Sequence, residues 1–311
     1  MTSQISRILG CGAYLPDRIV SNDEMARLVD TSDEWISRRT GIRERRFAAD
    51  DQTTSDLAVA ALQAALSRAA LTGGDLDAII VATATPDDTF PATATKVQAA
   101  LEAESAFAFD IQAVCSGFVY GLSVADALIR SGQVATAAVI GAETFSRILN
   151  FEDRTPCVLF ADGAGAVVLR GEARAGDQPR GVLSTHLFSD GRFRDSLYVD
   201  GGPSRGERVG KLRMNGSEVY RHAQAKLAQA IDVALAANGV DGEAIDWFVP
   251  HQANERIIDA MAKRLDLPAE KTIKTIARHA NTSAASIPLA LAEAEADGRI
   301  KPGNLVLMEA M

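Results

Sequence analysis

Three residues carry most of the chemistry this sequence offers: Cys115, His251 and Asn281. Cys115 stands where an apolar β-like run, Ala106-Phe-Ala-Phe-Asp-Ile111, meets a segment of helical period opening with Ser116-Gly117. A thiol at a helix start feels the positive end of the helix dipole and free backbone N–H groups, which favour the thiolate and lower its pKa. That environment makes a nucleophile, although a small buried core residue fits the same place, since free Cys is among the most buried residue types. His251 directly follows the strand-like Trp247-Phe-Val-Pro250. The C-terminal end of a strand in an α/β protein is where ligands bind, and a structural histidine would sit there equally well. Asn281, within His279-Ala-Asn-Thr-Ser-Ala-Ala-Ser286, reads as a helix N-cap or as a polar group of a site. A thiol, an imidazole and an amide together suit hydrolysis or acyl transfer through a thioester.

The elements that must position these residues alternate between apolar β-rich runs and Ala/Leu-rich runs of helical period, the pattern of an α/β protein. The spacing predicts a helix over 55–69, with Leu57, Ala61, Leu62, Ala65 and Leu66 as its apolar stripe, and then a buried strand over 77–81. The plan returns as a helix over 219–236, a turn over 239–242 and a strand over 245–249. Residues 71–81 align with 240–250 at an offset of 169, matching Gly73 to Gly242 and Asp77 to Asp246. At an offset of 166, Cys115 falls on Asn281, Gly132 on Gly298 and Glu143 on Glu309. Small-residue helices over 116–130 and 282–296 each lead through a Gly turn to an apolar strand, over 137–140 and 305–307. These correspondences predict a duplicated α/β half, with halves at 1–172 and 173–311. Two helix starts related by pseudo-symmetry can face one pocket, which would bring Asn281 near Cys115.

In the first half Glu143 is followed by Val158-Leu-Phe160 and a run over 165–169, read as two strands joined by a turn at Ala161-Asp-Gly-Ala-Gly165. The second half has no such continuation after Glu309, so its closing strands are expected to be missing and an edge left unpaired. Between the halves, 171–180 reads as a surface linker, and 189–210, rich in Gly and Arg and without periodicity, as a long surface excursion.

Composition narrows the function classes. The 311 residues carry 32 Lys+Arg against 41 Asp+Glu, a net charge of −9, with 47% hydrophobic residues. A chain this long buries roughly 75% of its unfolded surface and needs no staples. The acidic balance argues against general nucleic-acid binding, which needs a basic face. No leader-like start and no apolar run near the roughly 18 residues of a membrane span is present, so a soluble, cytoplasmic protein is expected. Three Cys suit reduced thiols, with Cys11 and Cys157 read as core residues. Asp162-Gly-Ala-Gly165 resembles a dinucleotide loop only superficially, because a strand rather than a helix follows it. No Walker loop or paired metal-ligand spacing occurs, so no metal is expected. On the helix predicted over 254–265, Ile257, Ile258, Met261 and Leu265 form the buried stripe, while Arg256 and Lys263 share another face beside Arg264. That basic face is either simply solvated or a receiver for an acidic partner.

With these motifs in view the sequence resembles the β-ketoacyl-acyl carrier protein synthase III family of the thiolase-like superfamily. The resemblance runs through Gly10-Cys-Gly-Ala-Tyr-Leu-Pro16, Thr31-Ser-Asp-Glu-Trp-Ile36, Arg39-Thr-Gly-Ile-Arg43, Val114-Cys-Ser-Gly117, Ala161-Asp-Gly-Ala-Gly165, Pro250-His-Gln-Ala-Asn254 and Asn281-Thr-Ser-Ala-Ala-Ser286. It implies a five-layered αβαβα fold of two similar halves, a homodimer, and a catalytic set of Cys115, His251 and Asn281. It implies further that Cys115 accepts a short acyl group from acyl-CoA, and that malonyl-acyl carrier protein then loses CO2, His251 and Asn281 stabilising the enolate before it attacks the acyl-Cys. By the same resemblance Trp35, Arg39 and Arg154 bind CoA, Phe90 closes the acyl pocket of a second subunit, and Arg256, Lys263 and Arg264 dock the carrier protein. No cofactor is implied, since acyl-CoA is a substrate. The chain departs from the family pattern at Ala280, where Gly is usual, and the resemblance leads one to expect a Gly-rich loop after the Glu-Ala segment, beyond Met311. A secondary-metabolism priming synthase of the same fold and a cysteine acyl-CoA hydrolase are the alternatives.

Overall fold

The computed structural model describes residues 4–173 and 180–311. Its strands are β1 (Gln4–Tyr14), β2 (Arg18–Ser21), β3 (Glu44–Phe47), β4 (Ala78–Ala82), β5 (Phe107–Ile111), β6 (Thr136–Thr144), β7 (Asp162–Ala173), β8 (Leu197–Gly201), β9 (Val209–Met214), β10 (Trp247–Pro250) and β11 (Val306–Glu309). Its helices are α1 (Asn22–Leu28), α2 (Asp33–Thr40), α3 (Thr54–Ala69), α4 (Thr93–Ala100), α5 (Gly117–Arg130), α6 (Arg154–Cys157), α7 (Gly216–Asn238), α8 (Glu255–Arg264), α9 (Ile276–His279) and α10 (Ser286–Ala296). No helix among the described residues is long and apolar enough to cross a membrane.

The N-terminal sheet has the order β1-β7-β6-β4-β5, with β4 parallel to both β5 and β6 and β7 antiparallel between β1 and β6. Every residue of β4 and β6 is buried, as strands covered on both faces require. One cover is α3, started by a capping box between Thr53 and Asp56 and burying Leu57, Ala58, Ala61, Leu62, Ala65 and Leu66. The other is α5, whose Phe118, Leu122 and Ala125 share a core with Ile287, Ala290 and Leu291 of α10. That central helical layer also meets Val249 of β10 and Val306 and Met308 of β11. Beyond the β10–β11 pair, α7 and α8 close the outer face through Leu227, Ile231, Ile257 and Met261 against Phe248. The layers therefore run helix, sheet, helix, sheet, helix. The buried stripe expected on α8 is present, Ile257, Ile258, Met261 and Leu265 all being buried.

The halves repeat in hydrogen bonding as well as in order. Asp77 N–H donates to Thr136 O and Asp246 N–H to Leu305 O, and the Asp77 and Asp246 carboxylates each accept from the opposite strand. These pairs place Leu305 on Thr136, an offset of 169, so Glu309 matches Ile140 and not Glu143 as the 166 alignment had it. The offset changes because the turn after Gly298 is longer than the one after Gly132. Among the described residues β11 pairs only with β10, whereas its counterpart β6 also pairs with β7.

Three further expectations are corrected. Ala161-Asp-Gly-Ala-Gly165 is no turn between two strands: Val158 and Leu159 form a turn, Phe160 bridges Asn281, and β7 runs unbroken from Asp162. The glycines serve close packing, since a Cβ on Gly165 would stand 2.6 Å from Leu289 N of α10. The expected linker over 171–180 begins inside β7, which continues to Ala173, while 174–179 lie outside the described residues. The expected excursion over 189–210 instead feeds the antiparallel β8–β9 hairpin, because Leu197, Val199, Leu212 and Met214 have an apolar surface to cover around Phe145 and Ile148.

Gly141, in β6, holds the halves together at their closest approach. A Cβ there would lie 2.1 Å from Ala284 O, so Gly141→Ala is expected to lower stability by about 1–3 kcal/mol. Denaturant unfolding of the purified variant measures this directly.

Candidate active site

Cys115 sits in a 3-10 turn, Val114–Ser116, that leads into α5. Val114 holds a left-handed φ of 47°, a conformation costly for a β-branched residue, and it turns Cys115 inward at the helix start. His251 follows the end of β10, its N–H donating to Glu309 O at 2.8 Å. Gln252 anchors this corner: its Oε1 accepts from the N–H groups of Thr275 and Ile276, and its Nε2 donates to Pro250 O and Ile273 O. Asn281 is pinned through its backbone, donating to Leu159 O and accepting from Ala161 N–H, both at 2.9 Å. Ala280 before it takes a φ of 52° with ψ near −156°, a region natural to glycine.

Cys115, His251 and Asn281, drawn from both halves, line one cleft of about 1340 Å³. A larger cavity of about 1770 Å³ also touches Cys115, but neither His251 nor Asn281 lines it. The pseudo-symmetric meeting of the Cys115 and Asn281 turns expected from the repeat is thus present.

The electrostatics of the three differ. Burial pushes the Cys115 thiol up to about 12, opposed by the Ser283 hydroxyl and the local N–H, with the negative charge of Glu143 adding to the rise. The expectation of a resting thiolate is therefore reversed, because loss of water around the sulfur outweighs the helix-start dipole. Burial holds His251 down at about 4, so its ring is neutral at pH 7. Its Nδ1 lies 2.6 Å from Ser286 Oγ, which also accepts from Gln252 N–H at 3.3 Å. In the tautomer with the ring proton on Nε2 the Ser286 hydroxyl donates to Nδ1, and Nε2 itself has no hydrogen-bond partner among the described residues. Asn281 Oδ1 accepts from Ser283 N–H at 2.9 Å, the cap-like bond foreseen for it, and this fixes its amide so that Nδ2 is the free donor.

At the cleft mouth, α2 starts on the Ser32 cap and presents Trp35 and Arg39. The Arg39 and Arg154 guanidinium carbons lie 4.5 and 4.9 Å from the Trp35 ring centroid. Arg154 also donates to Asp30 O at 2.8 Å. Arg256 lines the same mouth and donates to Arg38 O, the carbonyl near the end of α2. Lys263 and Arg264 are exposed on α8 but do not line the cleft, and Arg264 is paired with Asp232 of α7. Phe90 is 83% exposed and lies outside the cleft of its own chain. Cys11 and Cys157 are buried free thiols, as expected of core residues.

Sequence reasoning missed Ser283, Ser286 and the buried Glu143 as parts of this site. Glu143 was visible as a carboxylate ending a wholly apolar strand, a placement that demands partners. The two serines carried no signal beyond their motif, because serine is common at helix starts.

The chain is similar to known proteins along its whole length. The family model described as 3-Oxoacyl-[acyl-carrier-protein (ACP)] synthase III matches residues 109–191, and its C-terminal counterpart matches residues 235–311. The chain is 63% identical over 307 residues to a beta-ketoacyl-[acyl-carrier-protein] synthase III of Paramagnetospirillum magneticum, covering 98% of this chain and 95% of that relative. A crystal structure of 3-oxoacyl-[acyl-carrier-protein] synthase III from Aquifex aeolicus superposes with a TM-score of 0.91 at 43% identity, covering 97% of this chain and 94% of that one. The priming β-ketosynthase of the R1128 polyketide pathway superposes equally well, with a TM-score of 0.91, but at 34% identity over 99% of this chain and 93% of that one. Fold, repeat and sequence agree that the chain belongs to the β-ketoacyl-[acyl-carrier-protein] synthase III family and has its thiolase-like fold.

Proposed function

We propose that this acyltransferase joins a short acyl-CoA, acetyl-CoA foremost, to malonyl-acyl carrier protein by decarboxylative Claisen condensation, and so initiates fatty acid synthesis. The observation that carries the reading is the convergence of Cys115, His251 and Asn281 on one cleft whose mouth holds Trp35, Arg39 and Arg256. Cys115 sulfur attacks the acyl-CoA thioester and CoA departs, leaving acyl-Cys115. Malonyl-acyl carrier protein then enters. His251 Nε2–H and Asn281 Nδ2–H donate to its thioester oxygen, which becomes the enolate oxygen as CO2 leaves, and the carbanion attacks the acyl-Cys. A neutral imidazole suits this role, because it donates a proton in a hydrogen bond without releasing it. No cofactor takes part.

Net formation of β-ketoacyl-acyl carrier protein, with one CO2 and one CoA per turnover, tests the reading. Acyl-CoA cleavage that proceeds at full rate without malonyl-acyl carrier protein would instead indicate a hydrolase. The 63% identity to a relative named beta-ketoacyl-[acyl-carrier-protein] synthase III, against 34% to the polyketide priming enzyme, supports the primary-metabolic assignment over the secondary one.

Planar guanidinium groups at Arg39 and Arg154 suit nucleotide phosphates, and the Trp35 ring suits the adenine. Arg256 and Lys263, with Arg264 at the far end of α8, form the face we assign to the acidic carrier protein. Arg256→Glu is expected to raise KM for malonyl-acyl carrier protein about tenfold at low salt, with self-acylation by acetyl-CoA unchanged. Steady-state kinetics with the two substrates varied separately reads this. Phe90, exposed on its own chain, is assigned to the acyl pocket of a second copy in a homodimer. Phe90→Ala is expected to raise kcat/KM for hexanoyl-CoA relative to acetyl-CoA by about tenfold, the discrimination that a few methylene groups allow. The cytoplasm is the compartment we assign.

A further inference from the structure

A buried arginine that donates only to neutral groups stands between the cleft mouth and Asn281. Arg45, the second residue of β3, is 0% exposed. Its Nη1 donates to Asn22 Oδ1 at 2.9 Å and to Val20 O at 3.3 Å, and its Nη2 donates to Val158 O at 3.0 Å. Its Nε has no partner among the described residues. Burial lowers its pKa to about 10, so the charge is kept at pH 7. Burying a charge on neutral partners is costlier than filling the same space with an apolar side chain, so stability alone does not account for an arginine here.

What the guanidinium has is reach in two directions. Toward Asn281, Val158 O belongs to the segment 158–161, in which Leu159 O accepts from Asn281 N–H and Ala161 N–H donates to Asn281 O, both at 2.9 Å. Arg43, two residues before Arg45, donates its N–H to Ala277 O at 2.9 Å, in the short helix α9 that leads into Asn281. The chain on both sides of Asn281 is thus tied to β3 and the residues that enter it. Toward the mouth, Asn22 Nδ2 donates to Ile42 O at 2.8 Å and to Asp33 Oδ1 at 2.7 Å, and Asp33 opens α2, which carries Trp35 and Arg39. By holding Asn22 Oδ1, Arg45 fixes which way that amide faces. Asn281 needs such bracing. Ala280 before it and Ser283 after it hold left-handed φ values of 52° and 50°, conformations that persist only where the surroundings impose them.

We propose that Arg45 is a positioning residue of the condensation: its guanidinium braces the segment 158–161 to which the Asn281 backbone is bonded, and so holds the Asn281 Nδ2 donor where the enolate oxygen forms. The proposal rests on the reading of Asn281 as an enolate donor. Arg45 touches no substrate, since it lies outside the lining of the cleft, and it acts only through the turn it holds. A lysine cannot replace it, because one ammonium cannot span the Asn22 and Val158 oxygens that a planar fork reaches at once. The catalytic cost of losing the brace is large for a small movement, because a donor displaced by a fraction of an ångström no longer meets the charge it is aimed at.

Arg45→Lys tests the brace in two ways, one of which needs no activity. Hydrogen exchange of the full chain, read residue by residue by NMR, compares the Asn281 and Ala161 amides with that of Ile80 in β4. Exchange at Asn281 and Ala161 is expected to accelerate about tenfold or more beyond any acceleration at Ile80. An arginine with a merely structural role predicts equal acceleration at all three, and that result, or no change at Asn281, overturns the proposal. Single-turnover reaction of pre-acetylated enzyme with malonyl-acyl carrier protein reads the catalytic consequence. Arg45→Lys is expected to slow it about tenfold when Asn281 is present, but less than about twofold in the Asn281→Ala background, where the donor it positions is already gone. The same factor in both backgrounds overturns the positioning role. A wild-type protein that forms no β-keto product would instead overturn the condensation reading, and the exchange result alone then decides the brace. Should Arg45→Lys fail to fold, Arg45→Met, which removes the donors and the charge together, carries the same two measurements.

Discussion

Cys115→Ala is expected to abolish condensation, lowering kcat by about 10⁴-fold or more, because no other group in the cleft can carry the acyl chain. Cys11 and Cys157 are buried away from the cleft and cannot substitute. The loss is purely chemical. The variant removes one sulfur from a site where backbone hydrogen bonds and core packing hold the turn, so its thermal midpoint is expected to stay within a few degrees of the wild type. Acetyl-CoA and carrier-protein binding, read by calorimetry, are expected to remain. A Cys115→Ala enzyme that still forms β-ketoacyl product would require another nucleophile.

The second large effect concerns the two donors. His251→Ala and Asn281→Ala are each expected to lower the condensation rate by about 10²–10³-fold, the cost of removing one preorganised donor aimed at developing negative charge. Acylation of Cys115 by acetyl-CoA is expected to survive in both, because the enolate appears only in the second half-reaction. Single-turnover measurements with pre-acylated enzyme separate the two steps. The double variant should fall short of the product of the single effects, since both donors serve the same oxygen. For His251 the pH dependence has a definite sign. Its folded pKa is depressed to about 4, so the stability gained by keeping it neutral is present above about pH 6.5 and is lost as pH falls towards 4. The donor function is accordingly expected to be flat across neutral pH.

Much of this was legible in the residues. The helical stripe of α3, the buried run of β4 and the stripe of α8 follow from periodicity, and the duplicated Gly-Asp turns announced two halves. The repeat also foretold that Cys115 and Asn281 share a pocket, because equivalent helix starts in paired halves face each other. What failed did so for tertiary reasons. The 166 offset matched Glu143 to Glu309 by identity, whereas strand pairing aligns Glu309 with Ile140. Asp162-Gly-Ala-Gly165 has the composition of a turn, yet its glycines are there to let β7 lie against α10. The β8–β9 hairpin has little pattern of its own and exists because Phe145 and Ile148 need covering. The thiol pKa could not be read locally, since a helix start predicts a fall and only the depth of burial reverses it. Ser283 and Glu143 escaped notice because their importance lies in a contact between halves, 140 residues apart in sequence.

The central claim is that Cys115 carries the acyl group between two substrates. Intact-mass analysis of the purified protein before and after acetyl-CoA, with peptide mapping, tests it most directly. The predicted result is a single added acetyl group on Cys115 that disappears on addition of malonyl-acyl carrier protein, with acetoacetyl-carrier protein and CO2 formed in equal amounts. An acetyl group on any other residue, or one on Cys115 that malonyl-acyl carrier protein leaves in place while water removes it, would contradict the account.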